Sequence, residues 1–228
     1  MSLGRFKYIL QTNTKNTATV IFLHGSGDTG NGVCEWIEHL IGPFASPHIK
    51  FIFPTAPLRN YTPWGGQPGN TWFDRISVQM NVPEHIESID EMGIILKSLI
   101  QEEVNAGVPL NNIILGGFSM GGAMALQMAY KYNSGLKGVF ALSSFLNSMS
   151  GVYDYLKVGP VPPTPLLMFH GDRDEIALMD WGKITFEKLT NLGVKGEFVV
   201  LANTFHELKK NELVQLFKWI NNLLPEKT

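Results

Sequence analysis

Cysteine is almost missing from this chain: Cys34 stands alone among 228 residues. One thiol makes neither an internal disulfide nor a multi-cysteine zinc site, so a reducing compartment is the default, and Cys34 reads as a small core hydrophobe. Charge is sparse too, with 17% Asp, Glu, Lys and Arg and a formal net charge of −2. The two signs are mixed along the chain. No basic stripe points to nucleic acid, and no acidic tail points to disorder. No apolar run approaches the length of a membrane span, and Met1 to Thr14 lacks the apolar centre of a signal peptide. Residue 2 is Ser rather than Gly, and Pro225-Glu226-Lys227-Thr228 is not a prenylation box. The expectation is a cytoplasmic protein without a permanent membrane anchor, a monomer or weak dimer.

Repeats, low-complexity tracts and linkers are also missing. At 228 residues and 44% hydrophobic content, the chain is long enough for one large core, and residues 1–228 read as a single domain. Short apolar runs alternate with helical segments almost to the end. Such alternation predicts a mostly parallel central sheet with helices on both faces. Arg5 to Gln11 fits an edge strand, and Thr19 to Leu23 a central one. Further strands are expected at Ile49 to Phe53, Asn112 to Leu115, Gly138 to Leu142, Leu166 to Phe169 and Glu197 to Leu201. The clearest helix spans about Glu84 to Val104, with Ile86, Ile89, Gly93, Leu96 and Ile100 as its buried stripe. Others are predicted from Gly122, around Trp181 to Asn191, and from about Glu207 to Leu224, the last burying Leu213, Leu216, Phe217, Ile220 and Leu223.

Leu115-Gly116-Gly117-Phe118-Ser119-Met120-Gly121-Gly122 joins a predicted strand to a predicted helix. It contains G-x-S-x-G, and its setting makes the motif informative. A serine between strand and helix, with glycine two residues either side, fits a sharp turn that lifts its hydroxyl clear of the sheet. The helix that follows aims free N–H groups at whatever Ser119 attacks.

Serine cannot attack at neutral pH unaided; it needs a base, and the base needs an acid to orient it. Of six histidines, His39, His48 and His85 suit surface or capping roles, while His24 and His170 end strands before Gly and shape the loops that follow. His206 follows the last strand, on the rim where loops after parallel strands gather, and is the best base. Asp172 and Asp174, after Phe169, both lie on that rim in the order Ser, acid, His, and the residues alone do not choose between them. The backbone N–H groups of Met120 and Ser26 are the candidate oxyanion donors. Two long loops carry apolar side chains that could wall an acyl site. Leu58, Tyr61, Trp64, Trp72 and Phe73 lie in one, and Phe145, Leu146 and Tyr153 in the other. Of these, Leu58, Trp72, Phe73, Phe145 and Leu146 are the substrate-binding candidates.

Taken together, Ile21 to Gly30, Pro54-Thr55-Ala56-Pro57, Trp72-Phe73-Asp74, Gly116 to Gly122, His170-Gly171-x-x-Asp174 and His206-Glu207 resemble the acyl-protein thioesterase and carboxylesterase family. The match covers nearly the whole chain. It implies an α/β-hydrolase fold, a Ser119, Asp174, His206 triad, no cofactor and no metal. Implied substrates are acylated small molecules or S-acylated proteins, with transient membrane contact at most. Met120 and Ser26 depart from the family pattern, since thioesterases that remove palmitate usually carry Gln and an apolar residue there. Ile76 to Pro83, where those enzymes build part of their acyl channel, also differs. A hydrolase of short-chain esters and thioesters is therefore expected, with a long-chain depalmitoylase or lysophospholipase as the alternative. A binding protein without catalysis is the competing class.

Overall fold

A computed structural model describes residues 1–13 and 15–226 of the chain; Thr14 and the last two residues of the tail, Lys227 and Thr228, lie outside the described residues. Seven strands form the main sheet: β1 (Phe6–Ile9), β2 (Ala18–Leu23), β3 (Ile49–Pro54), β6 (Ile113–Phe118), β7 (Gly138–Leu142), β8 (Leu166–Gly171) and β9 (Gly196–Leu201). Their spatial order is β1-β3-β2-β6-β7-β8-β9. Every pairing is parallel except that of β1, which runs antiparallel to β3 at one edge. A separate hairpin of β4 (Leu58–Tyr61) and β5 (Gln67–Asn70) stands over the rim.

The apolar runs form central strands because both faces of the sheet are covered. Side chains alternate across a strand. Ile21 and Leu23 of β2 therefore join one cluster, with Ile89, Leu96 and Met124, while Val20 and Phe22 join the other, with Val33, Ile37 and Leu213. Four helices pack on the first face: α2 (Ile86–Asn105), α3 (Met120–Gln127), α4 (Gly151–Val158) and α5 (Met179–Asn191). The second face is covered by α1 (Gly30–Ile41) and α6 (Lys210–Leu223). Each large side chain sealed this way contributes roughly 1.5–3 kcal/mol.

Three details depart from the sequence reading. Ile86, expected in the buried stripe of α2, is 58% exposed. Ser88 takes the inward place in that first turn, where its hydroxyl accepts the Asp74 amide at 2.9 Å. The closing helix starts at Lys210 rather than near Glu207, and Phe217 and Leu223 are only partly buried in it. The helix after the Ser119 turn passes into a single π-helical turn at Met128–Tyr132.

Candidate active site

Three parallel strands deliver three side chains to one rim. β6 ends at Phe118, and Ser119 then adopts φ 54° and ψ −121°, a left-handed conformation disfavoured for a residue with a side chain. The turn is held on both sides. The Ser119 amide donates to the Leu142 carbonyl at 2.8 Å, and its carbonyl accepts from Ser144 Oγ at 2.7 Å. The glycines allow α3 to start against the sheet: a Cβ on Gly117 or Gly121 would lie 2.4 or 2.2 Å from the Leu23 carbonyl oxygen. Strain at one residue, supported by several neighbours, is typical of a functional position.

His206 follows β9, with Nε2 2.9 Å from Ser119 Oγ and Nδ1 2.7 Å from Asp174 Oδ2. The Phe118 ring, 4.8 Å from the imidazole, supports one side of it. Asp174, after β8, is buried; its Oδ1 accepts the amides of Ile176 and Ala177 at 3.0 and 2.8 Å. Burial alone would raise the carboxyl pKa, but hydrogen bonds from His170, His206 and the Ala177 amide outweigh it and hold the group well below the usual carboxylate range. An ionised Asp174 fixes the proton of His206 on Nδ1, leaving Nε2 to accept from serine. Asp172 turns elsewhere and accepts the Thr204 amide at 3.3 Å.

His170 shapes the loop after β8, as expected, and also borders this network, which the residues alone did not indicate. Its Nε2 donates to the Ala177 carbonyl at 2.6 Å and lies 3.5 Å from Asp174 Oδ2. The His-Gly-x-x-Asp spacing was the available signal. His24 does shape its loop. Its Nε2 accepts the Ala56 amide at 2.9 Å while Nδ1 donates to the Gly25 carbonyl, and burial lowers its pKa.

A cavity of about 420 Å³ opens over Ser119. Ser26 and Met120 both line it, with Ser26 Oγ 3.6 Å from Met120 Sδ. Met120 is the first residue of α3, so its amide has no partner within the helix. Of the five substrate-binding candidates, only Phe145 lines the cavity. Leu58 is 66% exposed on β4, outside it. Trp72 and Phe73 lie in the core, where Trp72 Nε1 donates to the His24 carbonyl at 2.8 Å and so anchors the strand end before Ser26. Leu146 is also a core residue, and its amide donates to Thr185 Oγ1. These side chains are wide and apolar enough for a pocket, but the core under the loops claims them first. Tyr61, Trp64 and Val78 form walls instead, together with Arg75, which sequence reasoning missed. Among the described residues no cluster of three or more His, Cys, Asp or Glu side chains could hold a metal ion, and no helix is long and apolar enough to cross a membrane.

A parallel sheet with a strained serine at the end of a central strand, and acid and histidine after the strands that follow, defines an α/β-hydrolase fold. Residues 6–224 match the family described as phospholipase/carboxylesterase. Mouse lysophospholipase-like protein 1 is 46% identical over 221 residues, covering 96% of this chain and 92% of that protein. Acyl-protein thioesterase 1 homolog 1 of Dictyostelium discoideum is 35% identical, covering 96% of each. The crystal structure of acyl-protein thioesterase 2 from Zea mays superposes with a TM-score of 0.82 at 28% identity, covering 97% of this chain and 99% of that one. The chain belongs to the phospholipase/carboxylesterase family and is an enzyme of the esterase and thioesterase class.

Proposed function

We propose that Ser119, His206 and Asp174 are the catalytic triad of a single-domain hydrolase that cleaves short-chain acyl esters and thioesters. The observation that carries this is the unbroken path from Ser119 Oγ to His206 to Asp174, with steps of 2.9 and 2.7 Å. His206 Nε2 takes the serine proton as Oγ bonds to the acyl carbonyl carbon. Negative charge develops on the carbonyl oxygen and meets the N–H groups of Met120 and Ser26. Collapse of the tetrahedral intermediate breaks the bond to the leaving alcohol or thiol, which receives the proton from His206. Water, deprotonated by the same nitrogen, then bonds to the acyl carbon; the C–Oγ bond breaks, the acid leaves, and the proton on His206 returns to Ser119 Oγ.

Acylated small molecules or S-acylated proteins are the proposed substrates, met in the cytoplasm with transient membrane contact at most. The charged side chain of Arg75 in the cavity wall favours short acyl groups over a palmitoyl tail, which would run against it. Ser119→Ala is expected to lower kcat for p-nitrophenyl butyrate by about a thousandfold or more. A fluorophosphonate probe should label the native protein and spare the variant. Equal turnover by a clean preparation of the variant would reject the assignment, and a protein that neither turns over ester nor takes the probe would be a binder of the same fold.

A further inference from the structure

Arg75 lines the same cavity as Ser119 and is only 6% exposed. A cation that deep normally faces a carboxylate. Arg59, buried to a similar degree, reaches Glu91 at 3.3 Å. The Arg75 guanidinium forms no salt bridge among the described residues and its Nε has no hydrogen-bond partner; from Arg75 the neighbouring Asp74 carboxylate accepts only the backbone amide, at 2.8 Å. Glu84, across from it on the neighbouring segment, pairs with it only through backbone, as an isolated antiparallel bridge. Glu84 spends its own oxygens on Gln127 Nε2 at 2.7 Å and the Gly151 amide at 3.1 Å.

The guanidinium is nonetheless held in place. The Phe73 and Phe145 rings lie 5.0 and 4.9 Å from its Cζ, and Phe145 is braced in turn by Trp181 at 4.9 Å. Aromatic faces stabilise a cation but do not saturate its N–H donors. The backbone beneath is fixed as well. Trp72 is bonded to His24, the Asp74 amide to Ser88, and the Asp74 carboxylate to both the amide and the hydroxyl of Thr62. Burial works against the charge of Arg75, with Tyr61 and Glu84 opposing that loss. A rigid, desolvated fork without a counter-ion, in the wall of a reaction cavity, is half of an ion pair.

We propose that Arg75 is the binding site for an anionic group, carboxylate or phosphate, carried by the ester or thioester that this enzyme cleaves. The proposal rests on the assignment of Ser119 as nucleophile. An uncharged substrate filling the cavity would leave the guanidinium desolvated and unmatched. A carboxylate or phosphate oxygen pair instead accepts two parallel N–H bonds from the fork. The anion has two possible positions on a substrate, the far end of the acyl group or the leaving alcohol.

Three esters separate these cases: p-nitrophenyl butyrate, the p-nitrophenyl monoester of glutaric acid, and the butyrate ester of 4-hydroxyphenyl phosphate. Arg75→Gln is expected to lower kcat/KM for one charged ester, relative to the neutral one, at least tenfold, and Arg75→Lys to lower it less. The ester that responds says which side carries the charge. A ratio that moves less than tenfold for both charged esters overturns the proposal. Should Arg75→Gln fail to fold, the native enzyme still decides. Glutarate or phenyl phosphate should compete with the butyrate ester at least tenfold better than glutaramide or phenol, and equal competition overturns it. Loss of neutral-ester turnover on Ser119→Ala, with no charge preference in either arm, rejects the anion site alone; a native enzyme inert toward the neutral ester rejects the nucleophile.

Discussion

Asp174 is a carboxylate sealed from solvent that still gives up its proton readily, because three donors converge on its two oxygens and His170 Nε2 lies 3.5 Å away. Asp174→Asn keeps an acceptor for the Ile176 and Ala177 amides but offers an N–H to His206 Nδ1. The imidazole must then carry its proton on Nε2, where it cannot take one from Ser119. A loss in kcat of about 10⁴ is expected at neutral pH, read from burst and steady-state kinetics. The same carboxyl links stability to acid. Its pKa is lowered by folding, so its contribution is complete above the unfolded value of about 3.9 and drains away as pH falls toward the folded one. Asp174→Asn should therefore narrow the gap between Tm at pH 7 and at pH 3. Ser119 and His206 were legible because motif and chain order pin them to strand ends. The choice between Asp172 and Asp174 was settled on residues only by family resemblance, since both are short acids in one turn. Arg75 gave no signal at all: nothing in Trp72-Phe73-Asp74-Arg75 says that the charge turns inward.

The elbow joining β6 to α3 tolerates no extra atom. Gly121→Ala would drive a Cβ to 2.2 Å from the Leu23 carbonyl oxygen, and a backbone atom cannot swing away as a side chain would. Destabilisation of about 1–3 kcal/mol or more is expected from denaturant titration. At the start of α6, Glu212 accepts the Lys209 amide at 3.1 Å, while its other oxygen is buried without a partner. Burial lifts its carboxyl to about 8, with the Lys209 hydrogen bond opposing that rise. Between about 4.5 and 8 the folded state holds a proton that the unfolded chain has released, so stability falls as pH rises across that window. Glu212→Gln keeps the acceptor and removes the titration. Its Tm should exceed that of the native protein at pH 8 and approach it at pH 5, by roughly 2–4 °C for each kcal/mol. Elements with a continuous apolar run, such as β2, β7 and β8, were readable. The β4 and β5 hairpin was not, because Pro63, Gly65, Gly66, Pro68 and Gly69 give the segment the composition of a loop.

Across the whole molecule, alternation of apolar strands and helices was enough to predict a sheet covered on both sides, and the two clusters flanking it are those layers. The pocket was less legible, since which loop aromatics fall inward depends on how far each loop rises above the core. A series of p-nitrophenyl esters from acetyl to palmitoyl should peak at short chains; rates climbing steadily to palmitoyl would reject the short-chain reading. The sheet order adds one more consequence. β9 is the outermost strand beyond β8, with a largely exposed run of side chains, and it alone leads into the loop that presents His206. Terminal strands let go first when a fold is loosened, often while the interior holds. Warming the enzyme should thus silence it before it melts, with esterase activity fading several degrees below the transition in circular dichroism and returning on prompt cooling.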